Sequence, residues 1–327
     1  MSRPHASYLR PLIRVMIYVL VIVVLFAMRD RLNVRGLVQR LTAPTAADTT
    51  LVIAGSTLAP TLVDRMVAVY HTEYPKLAIR VGGGQTTAAL EELVNKRADT
   101  VFLSRPPLPS EQKIFAKATG DTALWYPIAL GAILVVAGAG ARDTTVALAD
   151  LRTLASGKPA AGYRKLYVPD PNSGLWDAFL AKADLPPAGD TAPAGVVFLK
   201  DDATVADAVH ADASGLGLAS SFALPDGPGK HGARALWVRT DKGPRPMAPD
   251  PEDIASGDYP LWSYLYVGCR PAGGAQAAKF VTYLTSSHGQ RQIEHTEFLP
   301  VQQVMREIYL NRSPGAASPP GHEEGTG

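Results

Sequence analysis

Residues 51–60 read LVIAGSTLAP, residues 77–90 read LAIRVGGGQTTAAL, and residues 169–179 read PDPNSGLWDAF. Each stretch carries the chain from a strand-like run through small hydroxyl residues into a helical pattern. The apolar run 51–54 leads to Gly55-Ser56-Thr57 and a helix opened by Pro60, the position proline tolerates best. Residues 77–81 lead into Gly82-Gly83-Gly84-Gln85-Thr86-Thr87, and 169–172 into Ser173-Gly174. Glycine lets a backbone approach closely, a hydroxyl donates, and the free N–H groups of a first helical turn carry partial positive charge. Such a turn suits an oxyanion. One serine or threonine before a helix is usually only an N-cap, whereas three turns of this kind in one chain point to a shared anion site.

Outward from these turns, strands and helices alternate. Strands are expected at 50–54, 77–81, 100–104, 129–137, 166–168, 196–199 and 264–269. Helices are expected at 60–74, with Leu62, Val63, Met66, Val67 and Tyr70 on one face, and at 87–96, 174–183, 204–211, 275–285 and 289–294. The alternation predicts an α/β architecture with mainly parallel sheets. A body of roughly 260 residues is long for one sheet core, so two lobes are expected.

The chain has 327 residues, 32 Lys+Arg against 30 Asp+Glu, and one cysteine. The single cysteine excludes a disulfide framework and a Cys-based zinc site. A net charge of +2 gives no global case for nucleic-acid binding. That neutrality conceals an asymmetry: residues 1–40 carry seven arginines and one acid, net +6, and the remainder is net −4.

The basic segment surrounds an apolar run at 12–28, LIRVMIYVLVIVVLFAM, with Arg14 placed to snorkel from its edge. It reads as a transmembrane signal anchor between a short tail at 1–11 and a linker at 29–49. No small-x-small cleavage site follows at Met28-Arg29-Asp30-Arg31, which favours an uncleaved anchor over a removed signal peptide. A buried core helix is the bland alternative. No cysteine stands just after the run for lipidation. Three arginines before its uninterrupted part, 15–28, and four after it leave orientation open. The Pro/Gly/Ser-rich tail, 313–327, is expected to be disordered.

No G-x-S-x-G elbow, phosphate-loop lysine motif or H-E-x-x-H is found. The seven histidines are scattered, and Cys269 ends an apolar run as a small core residue. No catalytic residue, metal ligand or cofactor motif emerges.

The ordered set GSTLAP (55–60), GGGQTTAAL (82–90), SRPPLPSE (104–111), PNSGLWDAF (171–179), SGLGLASSFAL (214–224) and YPLWSYLYV (259–267) resembles the phosphate-binding proteins of bacterial ABC transporters. The stretch 277–301, with its S-x-x-G-Q turn, resembles that family's C-terminal region. The resemblance covers roughly residues 50–305. It implies a two-lobed type II periplasmic-binding-protein fold over 50–312, here preceded by the transmembrane helix. One lobe is expected at about 50–130 plus 245–308 and the other at 131–244, joined by two crossover strands.

Carried across residue by residue, the resemblance implies ligand contacts at Thr57 and Leu58, at Thr86 (or Thr87), and at Ser173 and Gly174. Three positions depart from the pattern. Pro169 replaces an arginine, Leu175 replaces a threonine, and Ser104-Arg105 stands where the best-known members place an aspartate after a serine. Arg105 restores one positive group if it points inward; a solvated surface arginine is the alternative. Loss of the aspartate removes an acceptor for the proton of a protonated oxyanion unless another acceptor replaces it. The resemblance implies partners as well: phosphate or a related oxyanion, ABC permease subunits and the inner membrane, with the body in the periplasm and no nucleic acid. A degenerate fold acting as a sensor or interaction module is the alternative. A phosphate-ester hydrolase finds little support without a metal cluster or activated nucleophile.

Overall fold

The chain's computed structural model describes residues 50–301 except 121, 190, 242, 244, 271–273 and 297. The anchor expected at 12–28, the linker at 29–49 and the tail at 313–327 lie outside the described residues. Among the described residues no helix is long and apolar enough to cross a membrane.

The first lobe is built on β1 (Thr50–Ala54), whose Leu51 and Ile53 are fully buried. A short 3-10 turn, Ser56–Leu58, leads to α1 (Pro60–Glu73), which buries Leu62, Val63, Met66 and Tyr70. Then come β2 (Ala78–Val81), α2 (Thr86–Val94), β3 (Thr100–Leu103) and α3 (Pro109–Thr119). β1 lies between β2 and β3, parallel to both. One core cluster joins Leu51, Ile53 and Met66 to Phe280 and Leu284, and another joins Leu90, Leu93 and Leu103 to Phe115.

β4 (Leu124–Gly138) leaves this lobe for the other. Its Ile128 and Ala129 belong to the first core, and Ala132 through Ala137 to the second. The second lobe continues through β5 (Thr145–Ala147), α4 (Leu148–Ala155), β6 (Lys165–Pro169), α5 (Leu175–Lys182), β7 (Val196–Leu199) and α6 (Asp202–Ala211). It is completed by β8 (Gly215–Ser220), β9 (Ala233–Arg239) and α7 (Pro251–Ser256). β10 (Trp262–Cys269) carries the chain back, followed by α8 (Ala275–Thr285), α9 (Ser287–Glu294) and β11 (Leu299–Pro300). The strand order is β2-β1-β3-β10-β4-β8-β6-β7.

Two expectations are corrected. The sheet is not mainly parallel: β10 is antiparallel to β3 and β4, and β4 is antiparallel to β8, β9 and β11. Among the described residues every antiparallel pair of named strands involves β4 or β10, and these two pair with each other because a chain that leaves a lobe on one strand returns beside it in the opposite direction. The return also falls later than residue 245. Ile254, Tyr259 and Leu261 pack in the second core, whereas Leu265 packs in the first. At the crossing, Ile133 N donates to Leu261 O at 2.8 Å and the Tyr259 hydroxyl donates to Ile133 O at 2.9 Å.

Candidate functional site

The three quoted turns meet where the lobes face each other. Gly55 N donates to Gly83 O at 3.2 Å, and the Thr57 hydroxyl donates to Gly84 O at 2.5 Å, which ties the first turn to the second. The Thr86 hydroxyl accepts from Ser104 N at 3.1 Å and donates to Ser173 O, in the opposite lobe, at 2.7 Å. Ser104 Oγ donates to the same carbonyl at 2.5 Å. Both hydroxyl protons therefore converge on one carbonyl, filling its two lone pairs. Neither Thr57 nor Thr86 serves as an N-cap; α1 and α2 have no side-chain cap bond. Ser173 is different, its Oγ accepting from Leu175 N at 3.2 Å at the start of α5.

Gly174 explains how the lobes come so close. Its φ is +79°, which favours glycine, and a Cβ there would lie 2.7 Å from Ser104 Oγ and 3.1 Å from both Thr86 Oγ1 and Arg105 Cγ. A bare backbone on the second lobe thus packs directly against three side chains of the first.

Arg105 is not on a solvated surface: it is 6% exposed. Its Nη1 and Nη2 make a two-pronged pair with Glu111 at 2.8 and 2.9 Å, and Nε donates to Asp177 of the opposite lobe at 2.9 Å. Nη1 also donates to Pro106 O at 3.2 Å. Burial opposes the guanidinium's charge, but the Glu111 and Asp177 carboxylates outweigh it and raise its pKa above the ordinary value. Glu111 is half-buried, which raises its pKa, yet its bonds to Arg105 and Leu108 N hold it below the usual range. The positive group that the sequence placed at the anion site is therefore engaged by two carboxylates, one of which ties the lobes together.

A cavity of about 80 Å³ lies among these turns, lined by Thr57, Leu58, Gln85, Ser104, Ser173 and Leu175 together with residues of a fourth turn. That turn joins β7 to α6. Asp201 caps the helix, its Oδ1 accepting from Thr204 N at 2.8 Å, and Asp202 Oδ1 accepts from Ser220 N at 2.6 Å. Burial, with the Asp201 charge adding to it, pushes the Asp202 carboxyl up to about 6. Among the described residues, the cavity lining holds these two carboxylates and no lysine, arginine or histidine. A larger cavity of about 470 Å³, bounded by Trp176, Phe198 and Pro186, carries no charged side chain among the described residues and contains none of the converging hydroxyls. The smaller cavity is the candidate site because polar groups from both lobes converge there.

Of the expected site residues, Thr57, Leu58, Ser104 and Ser173 line the cavity, and Thr86 and Gly174 stand directly behind it. Asp201 and Asp202 were missed. The signal was present, since FLKDDAT at 198–204 repeats the strand-to-polar-turn-to-helix pattern with carboxylates in place of hydroxyls. No grouping of His, Cys, Asp and Glu able to hold a metal occurs among the described residues.

Residues 42–288 match the model of the PBP superfamily domain. No curated protein matches the chain. Among solved structures, it is similar to a putative phosphate ABC transporter substrate-binding protein with bound phosphate from Clostridium perfringens. That similarity has a TM-score of 0.63 at 15% identity, covering 77% of this chain and all of that one. An ABC-type phosphate transport receptor from Vibrio cholerae gives 0.58 at 18%, covering 76% and 99%. A possible phosphate-binding protein from Planctomyces limnophilus gives 0.51 at 18%, covering 77% and 93%.

Proposed function

Because this chain belongs to the PBP superfamily and has the α/β type II periplasmic-binding-protein fold, we propose that it is a solute-binding protein that clamps phosphate or a similar tetrahedral oxyanion between its lobes. The observation that carries this reading is the convergence of Thr57, Thr86, Ser104 and Ser173 from separate strand-to-helix turns at one small cavity. In this reading the Ser173 carbonyl occupies the acceptor role that an anion oxygen takes over on binding. The Thr86 and Ser104 hydroxyls transfer from one acceptor to the other, and the lobes close around the ion. Helix first turns supply the remaining donors, since the body is mildly acidic overall. No covalent chemistry is required. The relatives named phosphate transport components support an ABC permease as partner, and the apolar run at 12–28 supports an inner-membrane anchor with the body outside.

A titration of the purified full chain against phosphate, sulfate and molybdate tests the proposal. Saturation at a hundred times Kd adds about 2.7 kcal/mol of stability, a rise of roughly 5–8 °C in Tm for a body of this size. No heat and no thermal shift with any of the three anions refutes it.

One observation favours a second reading, a sensor or interaction module. The Thr86, Ser104 and Arg105 donors are satisfied across the lobes by Ser173 O and Asp177. If Arg105→Ala and Ser173→Ala leave the cellular phenotype intact, that reading is preferred.

A further inference from the structure

The cavity of about 470 Å³ in the second lobe takes no part in the oxyanion reading, yet it lies directly behind one of the anion turns. Its wall carries Pro171 and Trp176, which flank Ser173 and Gly174 on either side in the chain. Between them the backbone is tightly wound. Ser173 N donates to Asp170 O at 2.9 Å, Gly174 N to Pro171 O at 3.0 Å, and Ala178 N to Gly174 O at 3.0 Å. The same turn is pinned from the front, where Ser173 O accepts the Thr86 and Ser104 hydroxyls and Gly174 has no room for a Cβ. A group that displaces Pro171 or Trp176 therefore moves the Ser173 carbonyl.

The lining limits what such a group can be. Ala155 at the end of α4, Leu180 of α5, Leu185 and the edge-to-face pair Trp176–Phe198, with ring centroids 5.9 Å apart, make an apolar, aromatic-walled space. Its volume falls in the range of small-molecule sites, about 300–1,000 Å³. No charged side chain lines it among the described residues, so an ion would be desolvated there without a partner. The lining is also poor in donors. Pro171, Pro186, Pro187 and Pro193 have no N–H. Leu185 N–H is taken by Leu180 O at 2.9 Å, and the Ser156 hydroxyl donates to Arg152 O at 2.8 Å, which leaves its oxygen as an acceptor. Aromatic walls suit a flat ring, and a surplus of acceptors suits a ring that brings its own N–H or O–H.

We propose that this cavity is a second ligand site, for an uncharged aromatic molecule carrying a hydrogen-bond donor, of the indole or phenol type, and that its occupancy changes the anion affinity of the turn in front of it. The effect on anion affinity rests on the oxyanion reading; the binding of the aromatic molecule does not.

The test titrates indole into the full chain labelled with fluorotryptophan. The chain has four tryptophans, and Trp125→Phe, Trp237→Phe and Trp262→Phe identify the other three signals, so that Trp176 stays in place. Indole is expected to shift the Trp176 signal saturably, and the backbone N–H signals of Ser173 and Gly174 with it, before any anion is added. Benzoate, an aromatic of similar size bearing a carboxylate, is expected to bind at least about tenfold more weakly. Saturating indole should change phosphate affinity at least about fivefold, and phosphate should change indole affinity by the same factor. A Trp176 signal that does not saturate, or that moves no more than that of the exposed Trp237, overturns the site, as does benzoate binding as tightly as indole. Saturable indole binding that leaves the Ser173 and Gly174 signals in place, or leaves a measurable phosphate affinity unchanged, overturns the coupling. If the chain binds no phosphate, sulfate or molybdate, the oxyanion reading falls, while the Trp176, Ser173 and Gly174 signals still decide the role of the cavity.

Discussion

Replacing Gly174 by alanine probes the closest approach between the lobes. Two costs are expected. A residue with a Cβ at φ +79° pays about 1–2 kcal/mol for the left-handed conformation. The Cβ would also lie 2.7 Å from Ser104 Oγ and 3.1 Å from Thr86 Oγ1 and Arg105 Cγ, and overpacking of this kind costs about 1–3 kcal/mol. Gly162 separates the two, for its φ is +84° and a Cβ there meets nothing within 4 Å. Gly162→Ala therefore carries the conformational cost alone. Urea unfolding of both variants at matched pH, read by linear extrapolation, should place Gly174→Ala about 1–3 kcal/mol below Gly162→Ala. Phosphate affinity should fall in Gly174→Ala only, because the displaced side chains are Thr86, Ser104 and Arg105. Equal stability of the two variants within about 0.5 kcal/mol, or equal affinity, refutes the claim that the lobes close onto a bare backbone at this position.

Three further outcomes are expected. Asp177→Asn removes the cross-lobe partner of Arg105 but leaves the Glu111 pair. Asp177 is 24% exposed, so the loss should be about 1–2 kcal/mol, below the range for fully buried pairs, with a larger radius of gyration by solution scattering. The Asp202 pKa is raised on folding from 3.8 to about 6, so its burial costs nothing below about pH 4 and costs stability as pH rises through 6. Asp202→Asn should accordingly stabilise the fold above pH 7 by up to about 3 kcal/mol, with the gain vanishing near pH 4 by urea titration. Asp212 shows the opposite sign. Bonds from Ser214, Lys165 and Tyr167 hold its pKa below the ordinary 3.8, so its contribution is present above that value and is lost as pH falls further. Asp212→Asn should therefore destabilise at pH 7 and lose its effect in strong acid.

Much of the fold was legible because the lobes' inner strands are uninterrupted apolar blocks. The runs that became β1, β3 and residues 129–137 of β4 have no other stable place than a sheet covered on both faces. β8 was harder to see. Its sequence, GLGLAS, places glycine twice in a strand, where propensity disfavours it. The structure supplies the reason: a Cβ at Gly217 would lie 2.6 Å from Val205 Cγ1 and 2.8 Å from Val136 Cγ2, so glycine admits α6 onto the sheet. α3 escaped notice because Phe115 is its one buried residue, leaving almost no apolar stripe to read. At the site, the hydroxyl turns were visible because each is local. The fate of Arg105 was not, since Asp177 lies 72 positions away and only the meeting of the lobes brings them together. Asp202 was overlooked because the helix was expected to begin at Thr204, which left both aspartates in the preceding loop.

Crystals of the full chain grown with arsenate would locate the anion directly by its anomalous scattering. A single peak is predicted among Thr57, Thr86, Ser104, Ser173 and Asp202, with the Thr86 and Ser104 hydroxyls turned from Ser173 O onto the ion. A peak elsewhere, or none while both hydroxyls remain on Ser173 O at saturating arsenate, would contradict the clamp.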